Sequence, residues 1–263
     1  MDWLSDDAED AEEHFTAEAF LHYQLGSRGL TLADLDVQPD VVATFQTFIY
    51  AHLVSTCGAE ETRPRGTLTD LEIAHGRHAG RDLSVVRLPI GAPAAVAQLE
   101  LLATAGARTL VAVGAAGSLQ ERAPVGACVL PTSAIREEGT SYHYRPPDVA
   151  ALPDKGLVQA LRAACREGGV IAHEGPAWTT DAPYRELSSK VLRFAQAGVV
   201  AVDMEASALF TVGPMRGVRV ASLFIISDEL FHPWRPAFYD RGYRDAALRI
   251  AACALDALVG LPK

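Results

Sequence analysis

The sequence predicts an α/β fold built on a mixed, largely buried central sheet, and three observations predict it. Apolar runs alternate along the chain with segments of helical spacing. Several of those runs, residues 127–131 and 199–202 among them, carry no charge and suit strands covered on both faces. The runs end in small or acidic residues: Gly114-Ala-Ala-Gly117, Asp203-Met204-Glu205 and Ser227-Asp228. Such residues at the carboxyl edge of a sheet lie where α/β proteins bind small ligands.

Taken in order, residues 1–35 begin acidic and then become mixed, so a frayed, partly flexible segment is expected. Residues 36–263 are expected to form a single domain, because no boundary shows after residue 40. Residues 41–54, VVATFQTFIYAHLV, place apolar side chains at helical spacing and predict a helix. Residues 58–69 are polar with Pro64 and Gly66, a loop. His75 and His78 are read as part of a glycine-containing turn region. Residues 83–90 predict a strand, Gly91-Ala-Pro93 a turn, and 94–105 a helix rich in Ala and Leu. Strands follow at 109–113 and 127–131, and a polar, aromatic loop at 135–147. Residues 155–166 are helical, 170–175 form a short strand, and 186–197 are helical again. At 199–210, VVAVDMEASALF, a β-branched strand hands over to a helix with Asp203 at the N-cap place. Residues 218–226 are a buried strand, and 239–259 close the chain as an amphipathic helix.

Charge is unevenly placed. The net charge is −10, but the first twenty residues hold eight acids and no Lys or Arg, leaving −2 on the other 243. The body is nearly neutral, which gives no case for nucleic acid or a membrane surface. The longest apolar stretch, 250–261, is broken by Asp256 and Gly260 and is no membrane span. The start is acidic where a signal peptide would be basic. Cys57, Cys128, Cys165 and Cys253 are widely spaced with no CxxC, against a zinc ribbon or a redox motif, and a reducing cytoplasm is expected. The eight histidines form no metal set, and no metal or cofactor is expected. GxSxG, Walker and dinucleotide glycine patterns are absent.

Glycines at strand ends let backbone N–H groups approach an anion, or simply end a strand. Two acidic strand ends in one sheet ask for more than capping. One carboxylate can accept hydrogen bonds from hydroxyls while the other donates a proton. Trp178, Tyr184 and Trp234 lie beside polar loops, able to stack on a flat ring or to roof the core.

Six ordered motifs carry a resemblance over roughly residues 70–260: Pro89-Ile-Gly91-Ala-Pro93; Gly106-Ala-Arg108-Thr109 with Val113-Gly114-Ala-Ala-Gly117-Ser-Leu119; Val125-Gly126-Ala-Cys-Val-Leu-Pro131; Thr180-Asp181-Ala182; Val202-Asp203-Met204-Glu205-Ala206; and Ile226-Ser227-Asp228. The chain resembles the nucleoside phosphorylase-I superfamily, which includes purine nucleoside and uridine phosphorylases and the methylthioadenosine/adenosylhomocysteine nucleosidases. The resemblance implies a three-layer αβα sandwich around a mixed sheet, and cleavage of a nucleoside N-glycosidic bond. Glu205 would hold the ribose hydroxyls and steady an oxocarbenium-like sugar, with Met204 packed under the ribose. Asp228 would protonate or hydrogen-bond N7 of a purine-like base, positioned by Ser227. Gly117, Ala116, Tyr184 and Trp178 would line the nucleoside site, and Gly91, Gly114 and Ala115 the site of phosphate, the co-substrate. A homo-oligomer, a dimer or a trimer of dimers, is expected.

The chain departs from the family where phosphate is gripped. The usual Arg and the Ser or Thr of the G-x-x-G stretch are here Ala112 and Ala115, and the early phosphate loop is missing. Arg63, Arg65 or Arg136 are candidate replacements. Leu187 and Ser189 fall near the uracil-reading Gln and Arg of the uridine enzymes, and Glu60 or Glu61 is the candidate for the water-activating Glu of the nucleosidases. Phosphorolysis leads; hydrolysis by water and a catalytically weak nucleoside-binding protein are the alternatives.

Overall fold

The structure, a computed structural model, describes residues 13–61, 71–231 and 233–262, with the side chain of Glu61 outside that description. Among the described residues ten strands are seen: β1 (Asp40–Thr44), β2 (Glu60–Glu61), β3 (Glu72–His78), β4 (Arg81–Arg87), β5 (Thr109–Ser118), β6 (Cys128–Glu137), β7 (Ala172–Thr180), β8 (Ala201–Asp203), β9 (Arg219–Glu229) and β10 (Arg235–Pro236). Seven α-helices accompany them: α1 (Ala17–Gly26), α2 (Thr47–Thr56), α3 (Ala92–Thr104), α4 (Lys155–Glu167), α5 (Ser188–Gln196), α6 (Ala206–Met215) and α7 (Arg241–Val259).

The sheet runs β10-β9-β6-β7-β8-β5-β1-β4-β3-β2 and is mixed. It does not stay open. β9 also pairs with β5, so β5, β9, β6, β7 and β8 close on themselves into a ring. One apolar layer packs α1, α3 and α6 on the sheet, and the opposite layer packs α2, α4 and α7. A third, smaller cluster joins α5 to Trp178, Leu119, Val199 and Val202. This is the αβα sandwich with a mixed central sheet, with a barrel-like closure at one half.

Three local expectations change. The single helix expected over 41–54 is a strand followed by a helix, β1 and then α2. β1 lies between β4 and β5 in parallel register, and all five of its residues are buried. A strand covered on both faces has no alternation to show, so its apolar run cannot be told from a helix by spacing. The turn region expected around His75 and His78 is an antiparallel strand, and its true turn is Ala79-Gly80, both residues at positive φ. Gly114-Ala-Ala-Gly117 is strand rather than turn: β5 continues through it to Ser118, with a bulge between Ala116 and Gly117. Thr16 caps α1, whose Leu21 and Leu25 are buried in the layer of α3 and α6.

Candidate active site

The site is built around the far end of β5. Gly117 pairs with Val202 of β8 on one side and with Asp228 of β9 on the other. Both acidic motifs therefore flank one residue, within two inter-strand spacings, about 10 Å. Glycine at 117 lets these side chains press close to the strand. A Cβ there would lie 2.6 Å from Leu230 Cδ1, 3.1 Å from Val202 Cγ1 and 3.4 Å from Asp228 Oδ2.

Glu205 stands where β8 hands over to α6, and it is 7% exposed. Its Oε1 accepts the backbone N–H of Gly91 at 2.6 Å. Gly91 opens α3 with φ at 100°, a conformation that suits glycine. Burial first, and then the neighbouring Asp203 carboxylate, push the Glu205 carboxyl up to about 8. The N-cap position of α6 is held by Glu205 rather than Asp203; Asp203 lies two residues before it, and its Oδ2 accepts from the backbone N–H of Glu205 at 3.0 Å and of Ala206 at 2.6 Å. Met204, between them, is half-buried.

Across the ring, Ser227 Oγ lies 2.8 Å from Asp228 Oδ1 and 3.3 Å from the Ala116 carbonyl, and its one proton goes to the nearer acceptor. Asp228 Oδ2 accepts the indole N–H of Trp234 at 2.9 Å, although Trp234 is 61% exposed. Glu186, half-buried after the short turn at Pro183–Arg185, makes no hydrogen bond among the described residues. Desolvation, with Asp228 and Glu137 as like charges, pushes its carboxyl up to about 7.

The structure thus gathers Glu205, Met204, Asp228, Ser227, Ala116 and Gly117 at one place. Of the expected stacking residues, Trp178 is closed to a ligand. Trp178 is wholly buried, packed on Phe194 at 4.9 Å between centroids with its N–H on Glu137, and offers no face to a ligand. Tyr184 is fully exposed. Trp234 is an aromatic side chain that touches Asp228, and Glu186 is a group that sequence reasoning missed. Nothing in the local sequence marks a lone Glu on a loop; its nearness to Asp228 is tertiary.

The expected phosphate positions are differently employed. Gly91 gives its N–H to Glu205. Gly114 is covered by Phe45: a Cβ on it would meet the ring at 3.1 Å. Ala112 is buried in the layer of α3 and α6, while Ala115 is half-buried. Arg136 cannot turn to an anion as placed. Its Nε donates to Ser141 Oγ, Nη1 to the carbonyls of Pro146 and Val149, and Nη2 to that of Arg145. Arg63 and Arg65 lie outside the described residues. Glu60 is exposed on β2, the edge strand, and the Glu61 side chain is not described. Among the described residues, no cluster of three or more His, Cys, Asp or Glu could hold a metal, and no helix is long and apolar enough to cross a membrane.

A mixed sheet with two carboxylate-bearing strand ends beside one glycine is the kind of place where α/β proteins bind small ligands. The sequence matches the Phosphorylase superfamily over residues 48–259, and the chain belongs to that superfamily. It is 30% identical over 161 residues to a guanosine phosphorylase of Halorubrum lacusprofundi, covering 61% of this chain and 67% of that protein. It is 31% identical over 155 residues to a uridine phosphorylase of Treponema pallidum, covering 55% of this chain and 60% of that protein. Its fold is similar to that of the uridine phosphorylase of Vibrio fischeri ES114, with TM-score 0.77 and 22% identity over 87% of this chain and 95% of that one.

Proposed function

We propose that this protein is a pentosyltransferase that cleaves the N-glycosidic bond of a purine-like nucleoside, with phosphate as acceptor. The observation that carries the reading is that Gly117 lies between Val202, three residues before Glu205, and Asp228. Glu205, once ionised, accepts hydrogen bonds from the ribose hydroxyls and opposes the positive charge that builds on the sugar ring. Asp228 donates a proton or hydrogen bond to the departing base at N7, and Ser227 holds that carboxyl. A phosphate oxygen forms the new bond at C1′ as the C1′–N bond breaks, and the bonding pair leaves with the base and is protonated there. The products are free base and ribose 1-phosphate. Glu186, close enough to Asp228 to feel its charge, supports a base rich in N–H groups. The guanosine phosphorylase and uridine phosphorylase names of the relatives support the reaction class and leave the base open.

A second reading is favoured by one observation. Phe45 covers Gly114, and Ala112 and Ala115 supply no donor side chain for an oxyanion. That environment suits water as acceptor. Base release with and without phosphate separates the two. Phosphate-dependent release with ribose 1-phosphate is expected; phosphate-independent release with free ribose overturns phosphorolysis in favour of hydrolysis. Nucleoside binding without turnover across purines and pyrimidines overturns both.

Homo-oligomerisation, as a dimer or a trimer of dimers, is proposed from the exposed Tyr184, Trp234 and Tyr239, and light scattering on the eluted peak tests it. A cytoplasmic setting is proposed from the four free, buried cysteines.

A further inference from the structure

β7 and β8 run parallel, with Thr179 opposite Asp203. Both side chains are buried. The Thr179 hydroxyl works in both directions: it donates to Asp203 Oδ1 at 2.6 Å and accepts the backbone N–H of Ser207 at 3.0 Å. Asp203 Oδ2 takes the N–H groups of Glu205 and Ala206. Three consecutive backbone donors at the start of α6 are therefore satisfied by two side chains from neighbouring strands, where an ordinary cap satisfies one. Behind them, Ser207 Oγ donates to Glu138 Oε1 at 2.8 Å, and Glu138 Oε2 accepts the Ser141 N–H at 2.8 Å. The backbone of Glu205 is thereby tied to two strands and a loop, and its side chain to Gly91.

Helix capping alone does not account for Asp203. A buried carboxylate two residues from the buried Glu205 carboxyl is electrostatically unfavourable, and Asn is as good a cap as Asp. Only a carboxylate, however, presents acceptors on both sides. One oxygen faces the Thr179 O–H and the other faces two N–H groups; an amide would turn its NH2 against one set.

We infer that Thr179 and Asp203 are positioning residues for the glycosidic cleavage, fixing the backbone of Glu205 so that its carboxylate meets the ribose hydroxyls. The inference rests on the role proposed for Glu205. The ionisable groups facing Glu205 are Asp203 at the end of β8 and, behind it, Glu138 just after β6; from the α3 side it meets the Gly91 N–H. Replacing Asp203 by Asn removes the nearer like charge, so Glu205 ionises at lower pH.

The test compares Thr179→Val, Thr179→Ser and Asp203→Asn in steady-state kinetics with the nucleoside that the wild type cleaves. Thr179→Val, nearly isosteric but without the hydroxyl, is expected to lower kcat/KM about tenfold or more, the loss seen when a reacting group is displaced by a fraction of an ångström. Thr179→Ser, which keeps the hydroxyl, stays within about twofold of wild type on the same reasoning. The acid limb of the Asp203→Asn pH profile moves to lower pH. Folded Thr179→Val with wild-type kinetics, or an Asp203→Asn profile superimposed on that of the wild type, overturns the inference. Should Thr179→Val not fold, the Asp203→Asn profile decides alone. Glu205→Gln is run beside them. If it keeps the full rate, the reading of Glu205 has failed; if it is impaired and Thr179→Val is not, the positioning inference alone has failed.

Discussion

Glu205 is an acid held where ionisation is costly, buried beside Asp203, with the backbone N–H groups of Gly91 and Met204 only partly offsetting that cost. Such a carboxylate gains from a ligand that brings further hydroxyl donors. Glu205→Gln is expected to lower kcat/KM by roughly 10²–10³-fold, the usual loss on removing an electrostatic stabiliser of the transition state; near-normal rates would take Glu205 out of the mechanism. Asp228→Asn should slow natural purine nucleosides more than substrates with better leaving groups, since only the former need the proton. Equal losses on both would rule out a general acid. Trp234 gives its N–H to Asp228 while mostly exposed. A base that takes over Asp228 releases that indole, so nucleoside binding should change tryptophan fluorescence, and Trp234→Phe should abolish the change.

At the scale of elements, the glycines of β5 are there for close approach rather than for turning. Gly114 lies under Phe45, and Gly117 under Leu230, Val202 and Asp228. A sequence shows that glycine stands there, but whether it ends a strand or lets a side chain press on one depends on the neighbours. α1 shows the same limit. Its sequence is polar enough to read as part of an acidic tail, yet Leu21 and Leu25 are buried against the α3 layer, and Glu13 and Glu100 both bind Arg216. Leu21→Ala is expected to cost about 2–5 kcal/mol in urea unfolding, the range for a fully buried leucine. A loss under about 0.5 kcal/mol, the range of surface substitutions, would show α1 to be peripheral.

For the whole molecule, closing β5, β9, β6, β7 and β8 into a ring sets the carboxylates of β8 and β9 on either side of β5. The site consequently collects acids whose carboxyls are raised: Glu205 to about 8, Glu186 to about 7 and Asp203 to about 6, each chiefly by burial. A folded-state value above the unfolded one adds stability below the unfolded value, and that stability is lost as pH rises through the folded one. These groups therefore lower stability progressively from about pH 4 to about pH 8. Glu205→Gln removes the largest of the three shifts. Its melting temperature should rise relative to wild type as pH goes from 5 to 9, by at least about 2 °C at the alkaline end; parallel curves would show that Glu205 is solvated in the native state.

The sequence by itself determined the class of fold and most of the strands and helices, and it singled out Glu205 and Asp228 as candidates. Apolar runs, helical spacing and short motifs are local signals, and they survive without knowledge of what packs where. Tertiary structure decided the rest. It split residues 41–54 into β1 and α2, because a strand buried on both faces leaves no periodic trace. It buried Trp178, brought Trp234 and Glu186 to Asp228, and turned Arg136 to loop carbonyls. It also made Thr179 the partner of Asp203. Each of these depends on strand order and register, and long-range pairing is written in no single segment. Phe45 and Gly114, which bear on the proposed choice between phosphate and water, are neighbours only in the folded chain.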